Sequence, residues 1–144
     1  SVRGRRAPFA RRPDGLGIGI AMEYTIDRVR LSAAAKQQLV TLKRRTGIEH
    51  YNVLCRHALC ESLANDSPVP EETYQFAGGV EIEWRVFAGE AADTYLNVLI
   101  VRCQADEGSV SAEGVKRTLT RHVHRGLSYL VSKQDSMQTA LTAR

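Results

Sequence analysis

Two histidines separated by a single residue, His122 and His124, are the first side chains in this 144-residue chain whose type and spacing suggest chemistry, because paired imidazoles are common metal ligands. Both fall in a run predicted to be an amphipathic helix, where residues two apart face different sides, so the pair cannot close on one ion. His122 borders the apolar stripe of that run, and His124 falls with Arg117, Arg121 and Arg125 on the opposite face. His57 and Glu61, one helical turn apart, make a second candidate with His50. No cysteine or further carboxylate stands at zinc spacing, and the three read as a solvated stripe. Cys55, Cys60 and Cys103 form neither a CxxC redox pair nor half of a metal site. All three sit in apolar patterns and are expected to be buried thiols. The carboxylate pairs Glu81/Glu83 and Glu90/Asp93 could hold magnesium for strand nicking; a wet strand face and the positive end of a helix explain them more simply. No Gly-rich loop leads into Lys-Ser or Lys-Thr, so nucleotide hydrolysis is not expected. The chain reads as non-catalytic, without cofactor or metal, with magnesium-dependent nicking as the enzymatic alternative.

The cations are more informative than the candidate ligands. In the run TIDRVRLS, Arg28 and Arg30 alternate with apolar residues, and the amphipathic run that follows carries Lys36, Lys43, Arg44 and Arg45. The formal charge of +4 is unevenly spread. Residues 1–21 hold five arginines and one aspartate; residues 22–45, six cations and two acids; residues 46–115, three cations and twelve acids; residues 116–144, six cations and one acid. A local basic face concentrates phosphate without making the whole surface sticky, and the acidic middle is left to meet a second protein. Phosphate contacts by Lys and Arg tolerate any sequence, whereas base readout needs bidentate Arg, Asn or Gln aimed into a groove. The sequence offers the first and no clear case of the second. Arg28 and Arg30 as ordinary edge-strand charges that discourage aggregation is the competing reading.

The elements that position these residues follow from period. Residues 24–31 alternate as a half-buried strand, Ser32 caps a helix over about 33–46, and Gly47 suits the left-handed turn that ends it. A nearly all-apolar helix over about 50–64 is expected to be the central buried one, covered in a homo-oligomer. Pro68 and Pro70 then force an irregular link. Residues 80–87 give the clearest strand, with Val80, Ile82, Trp84 and Val86 on one side, and helices follow over about 90–104 and 111–131. Gly126 lies on the apolar side of the last, where a missing side chain lets another helix approach. The predicted fold is mainly α with a small β component: strand, helix, helix, second strand, then two helices in one compact domain. That domain spans 22–132, after a non-native or disordered basic leader at 1–21 with Met22 as the natural start, and before a polar tail at 133–144. No apolar run reaches the roughly 20 residues that span a bilayer, so a cytoplasmic protein without membrane contact is expected.

Residues 24–64, with basic strand, helix, turn and helix, resemble a ribbon-helix-helix module, in which two chains pair their strands and lay the ribbon in the major groove. Such a sequence-specific transcription regulator is the alternative reading. Over residues 22–131 a more specific resemblance emerges. The segments LKRRTG, NVLCRHALC, FAGEAADTY and HVHRGLSYL together resemble the DndE family, small proteins of bacterial DNA phosphorothioation. The resemblance implies a mainly helical, self-associating subunit, a tetramer among its candidate assemblies, that binds double-stranded DNA with a preference for nicks. It further implies partners of the same system: a cysteine desulfurase, an iron–sulfur sulfurtransferase-type protein and an ATPase. By position, Lys36 and Lys43 match the lysine-bearing first helix of the family, with Arg44 and Arg45 as additional candidates. Neutralising roughly four to six phosphates gives an expected log-affinity against log-salt slope of about −4 to −5.

Overall fold

The computed structural model describes residues 24–142; the expected leader at 1–21 lies outside them. Strand β1 (Arg28–Leu31) enters helix α1 (Ala33–Thr46) through Ser32, whose hydroxyl accepts the Ala35 N–H at 3.0 Å. Gly47 ends α1 at φ 79°, the left-handed geometry that only a residue without Cβ adopts freely. Helix α2 (Tyr51–Leu63) follows, then a link to β2 (Val80–Glu83), a short α3 (Trp84–Ala88), one 3-10 turn (Gly89–Ala91), α4 (Ala92–Glu107) and α5 (Ala112–Thr142).

β1 and β2 pair antiparallel, with Arg28 opposite Glu83 and Arg30 opposite Glu81. The sheet joins the two segments that their alternation singled out. The partner of β1 is β2 of its own chain, where the ribbon-helix-helix alternative pairs it with a second copy. Alternation places Val29, Leu31 and Ile82 in the core and leaves Arg28, Arg30, Glu81 and Glu83 exposed. Two four-residue strands are marginal alone; packing against α3 and α5 holds them.

Three elements differ from expectation. The strand expected over 80–87 stops at Glu83, after which the Trp84 N–H still donates to Asp27 O at 2.8 Å. The chain then turns into α3, which puts Trp84, Phe87 and Ala88 on one buried helical face, with Trp84 and Phe87 stacked at 5.6 Å, and leaves Val86 exposed. The last helix does not end near 131 but continues to Thr142, through the polar residues read as a tail. Cys55 and Cys103 are buried as expected, whereas Cys60 is exposed, on the side of α2 turned away from Cys55.

α2 buries Leu54, Cys55, Ala58, Leu59 and Ser62 against α5 of the same chain, so its apolar side is covered without a second copy. The contact depends on Gly126, where an added Cβ would lie 1.7 Å from the Ala58 carbonyl oxygen. Among the described residues no helix is long and apolar enough to cross a membrane.

Candidate nucleic-acid interface

The exposed side of the sheet carries Arg28 and Arg30 at positions two apart, about 7 Å along the strand. Both turn their Nε atoms toward one carboxylate: Arg28 lies 3.8 Å from Glu81 Oε1 and Arg30 lies 3.2 Å from Oε2, with all three side chains about half exposed. The Arg30 guanidinium also sits 4.6 Å from the Phe76 ring centroid, a stack that orients it without neutralising it.

On α1, Lys36 and Lys43 are two turns apart and so share one edge of the helix. Lys43 opens onto a groove of about 550 Å³ lined also by Glu49, Tyr51, Glu81 and Glu83, which places this edge beside the sheet. Its ammonium lies 5.8 Å from the Tyr51 ring centroid. Arg44 is exposed. Lys36, Lys43 and Arg44 have no ion pair among the described residues. Arg45 points the other way, to Asp135 of α5 at 2.5 Å, on the edge where Gln38 meets Ser128 at 3.3 Å. The fold thus sets Lys43 beside β2, on the edge of α1 that it shares with Lys36, while Arg28 and Arg30 lie on the exposed side of the sheet and Arg45 turns across the helix.

The cations of α5 are held elsewhere. Arg117 donates from Nε and Nη2 to Glu107 at 3.1 and 2.7 Å, and this bond is the main reason that the Glu107 carboxyl titrates below its ordinary value. Arg121 lies 3.8 Å from Glu107 and 3.9 Å from Glu71. Arg125 donates to the carbonyls of Ser62, Asn65 and Ser67 and to the Ser62 hydroxyl. From α4, Arg102 reaches the carbonyls of Leu63, Asn65 and Ser67. α2 has no basic residue in its last turn, so two guanidiniums from other helices satisfy the orphan carbonyls at its C-terminus and oppose its dipole.

Between these arginines runs a chain of bonds that sequence spacing does not reveal. Arg125 Nε donates to Ser62 Oγ at 2.8 Å, Ser62 Oγ lies 2.7 Å from His122 Nδ1, His122 Nε2 lies 2.7 Å from Asp106 Oδ2, and Asp106 Oδ1 accepts from Arg102 Nε at 2.8 Å. With Asp106 charged, one arrangement satisfies every member: His122 donates from Nε2 to Asp106 and accepts the Ser62 hydroxyl at Nδ1. Serine, histidine and aspartate in line suggest a nucleophile, but Ser62 and His122 are fully buried and Ser62 Oγ already holds Arg125. The line is a structural strut.

His124 is not on the basic face. It is buried and stacked on Tyr74 at 4.1 Å, with Nδ1 donating to Thr120 O at 2.7 Å and Nε2 accepting the Ser32 N–H at 3.1 Å. The N-cap of α1 is thereby tied to α5. His50, His57 and Glu61 do not converge: Glu61 meets Lys133 at 3.3 Å, and among the described residues no three metal-ligating side chains form a group.

Both buried histidines are held neutral. Burial lowers the His122 pKa against the opposing pull of Asp106, and burial lowers that of His124 against its bond to Thr120. The unfolded chain therefore takes up protons near pH 6.5 that the folded chain refuses. Stability is expected to be full above about pH 7 and to fall as pH drops below about 6.5, by at most about 1.4 kcal/mol per pH unit for each histidine. For Asp106, burial alone would raise the pKa, but the hydrogen bonds from His122 and Arg102 outweigh it and hold the carboxyl low. Its contribution is therefore lost only at more acid pH, as the carboxyl is protonated. Urea midpoints at pH 8, 6.5 and 5.5 check this; equal midpoints at all three would contradict neutral burial.

The assembled elements can be set beside known proteins. Residues 28–138 match the family described as DNA sulphur modification protein DndE. The chain belongs to the DndE family. The match begins at the first residue of β1 and ends within α5, so it takes in every element of the fold except residues 139–142 of that helix. The crystal structure of DndE from Escherichia coli B7A, described as involved in DNA phosphorothioation modification, superposes with a TM-score of 0.56 at 22% identity, covering 73% of this chain and 96% of that one. At that identity the likeness concerns the fold alone. No curated protein sequence matches the chain.

Proposed function

We propose that this DndE-family chain is a non-catalytic DNA-holding subunit of the phosphorothioation system, gripping duplex, and nicked duplex more tightly, through Arg28, Arg30, Lys36, Lys43 and Arg44. One observation carries the reading: Lys36 and Lys43 share an edge of α1, which Lys43 sets beside β2, and neither has an acidic partner among the described residues; Arg28 and Arg30 share one half-exposed carboxylate, Glu81, whereas Arg45, Arg117, Arg121 and Arg125 are engaged in tying helices of the fold to other elements. The engaged four are left out of the proposed contact. A nick lowers the cost of bending the duplex onto a cationic surface, which would favour it without any base readout. Self-association and docking of the sulfurtransferase-type and ATPase subunits through the acidic middle, in the cytoplasm, complete the proposal.

Fluorescence anisotropy on matched intact and nicked duplexes, titrated with salt, tests it. Removing one lysine that neutralises a phosphate should flatten the log-log salt slope by about 0.9. Lys36→Ala/Lys43→Ala is therefore expected to reduce the slope by about 2 and affinity by about tenfold or more. Equal binding by the wild type and the double variant would sink the assignment.

A further inference from the structure

Glu81 is the one acid on the exposed side of the sheet that both strand arginines share, its two oxygens divided between Arg28 Nε and Arg30 Nε. The cross-strand register puts Glu81 directly opposite Arg30, and Arg28 faces Glu83. A carboxylate flanked by two guanidiniums presents them with the same two-oxygen anion that a backbone phosphate presents. The outer Nη groups of both arginines have no hydrogen-bond partner among the described residues. From this geometry we infer that Glu81 is a built-in stand-in for a DNA phosphate: it holds Arg28 and Arg30 aligned in the free protein and is displaced by the backbone on binding.

The inference rests on the DNA-holding reading and deepens it. The side chains are about half exposed, so the exchange needs no unfolding and involves weak surface ion pairs. Phe76 keeps the Arg30 guanidinium in place when its carboxylate partner leaves. Glu81 therefore sets the threshold for binding. Duplex engages only when its phosphates outcompete a carboxylate already in position, which suppresses contact with isolated or weakly charged anions.

The experiment compares Glu81→Gln with wild type on the same duplexes, with Glu113→Gln as an equal change of net charge on α5. Glu81→Gln is expected to tighten binding about three- to tenfold at low salt and to steepen the salt slope, because arginines freed from a protein carboxylate now release counterions. In an Arg28→Ala/Arg30→Ala background the gain should vanish, as a double-mutant cycle requires for a direct coupling. Unchanged or weaker binding by Glu81→Gln, or an equal gain from Glu113→Gln, overturns the inference while leaving DNA binding intact. A wild type that binds no duplex removes the reading beneath it. Circular dichroism of each variant confirms that the fold is retained.

Discussion

Gly126→Ala is expected to cost about 3 kcal/mol or more and to lower the melting temperature by about 10 °C or more. The added Cβ would meet backbone, not a yielding side chain: 1.7 Å from the Ala58 oxygen and 2.3 Å from its carbonyl carbon. α2 and α5 must then separate, and their contact contains Leu54, Cys55, Leu59, Leu119, Val123 and Leu127, all buried. Interiors at native density cannot absorb such a shift locally. Ser128→Ala, two residues further along and exposed, serves as the control. Thermal melts of both variants decide the matter; a change below about 2 °C for Gly126→Ala would mean that the helices do not pack as closely as described.

Asp106→Ala is the second large effect, expected at about 3–5 kcal/mol because it leaves a buried cationic partner uncompensated. Arg102 would lose its acceptor at 2.8 Å, and the His122 Nε2–H would lose its own at 2.7 Å. The damage should be directional. Arg102 also holds the carbonyls of Leu63, Asn65 and Ser67, so amide exchange should accelerate most in the last turn of α2 and the segment after it, not in α1. Uniform acceleration across all helices, or none, would contradict the strut. Asp106→Asn keeps the shape and one acceptor and should fall between wild type and the alanine variant.

The elements legible in advance were those whose signals are local. Ser32 and Gly47 bracket α1 because a capping hydroxyl and a left-handed glycine act on neighbouring backbone, and both ends lie where expected. Lys36 and Lys43 share an edge because helical period alone requires it. The strand at 80–87 was half right for the same reason: alternation describes Val80–Glu83, but Trp84, Phe87 and Ala88 also fit a helical turn. The choice between the two lay with the tertiary core, which buries Trp84, Phe87 and Ala88 on one helical face and leaves Val86 exposed.

The charged residues of α5 show the limit most clearly. Arg117, Arg121, Arg125 and His124 form a polar face by period, and period cannot say what covers it. Carbonyls of Ser62, Asn65 and Ser67 and the carboxylate of Glu107 engage the arginines, and the backbone of Ser32 engages the histidine. The Ser62–His122–Asp106 line is likewise assembled from α2, α5 and α4, with no spacing in common. By itself the sequence determined the helices that carry their own caps and period, the membership in the DndE family and a basic strand-and-helix segment. Only the tertiary structure decided which cations are consumed within the fold and which have no ion pair among the described residues, because the pairs of Arg45, Arg117 and Arg121 form between neighbours in space that come from different elements.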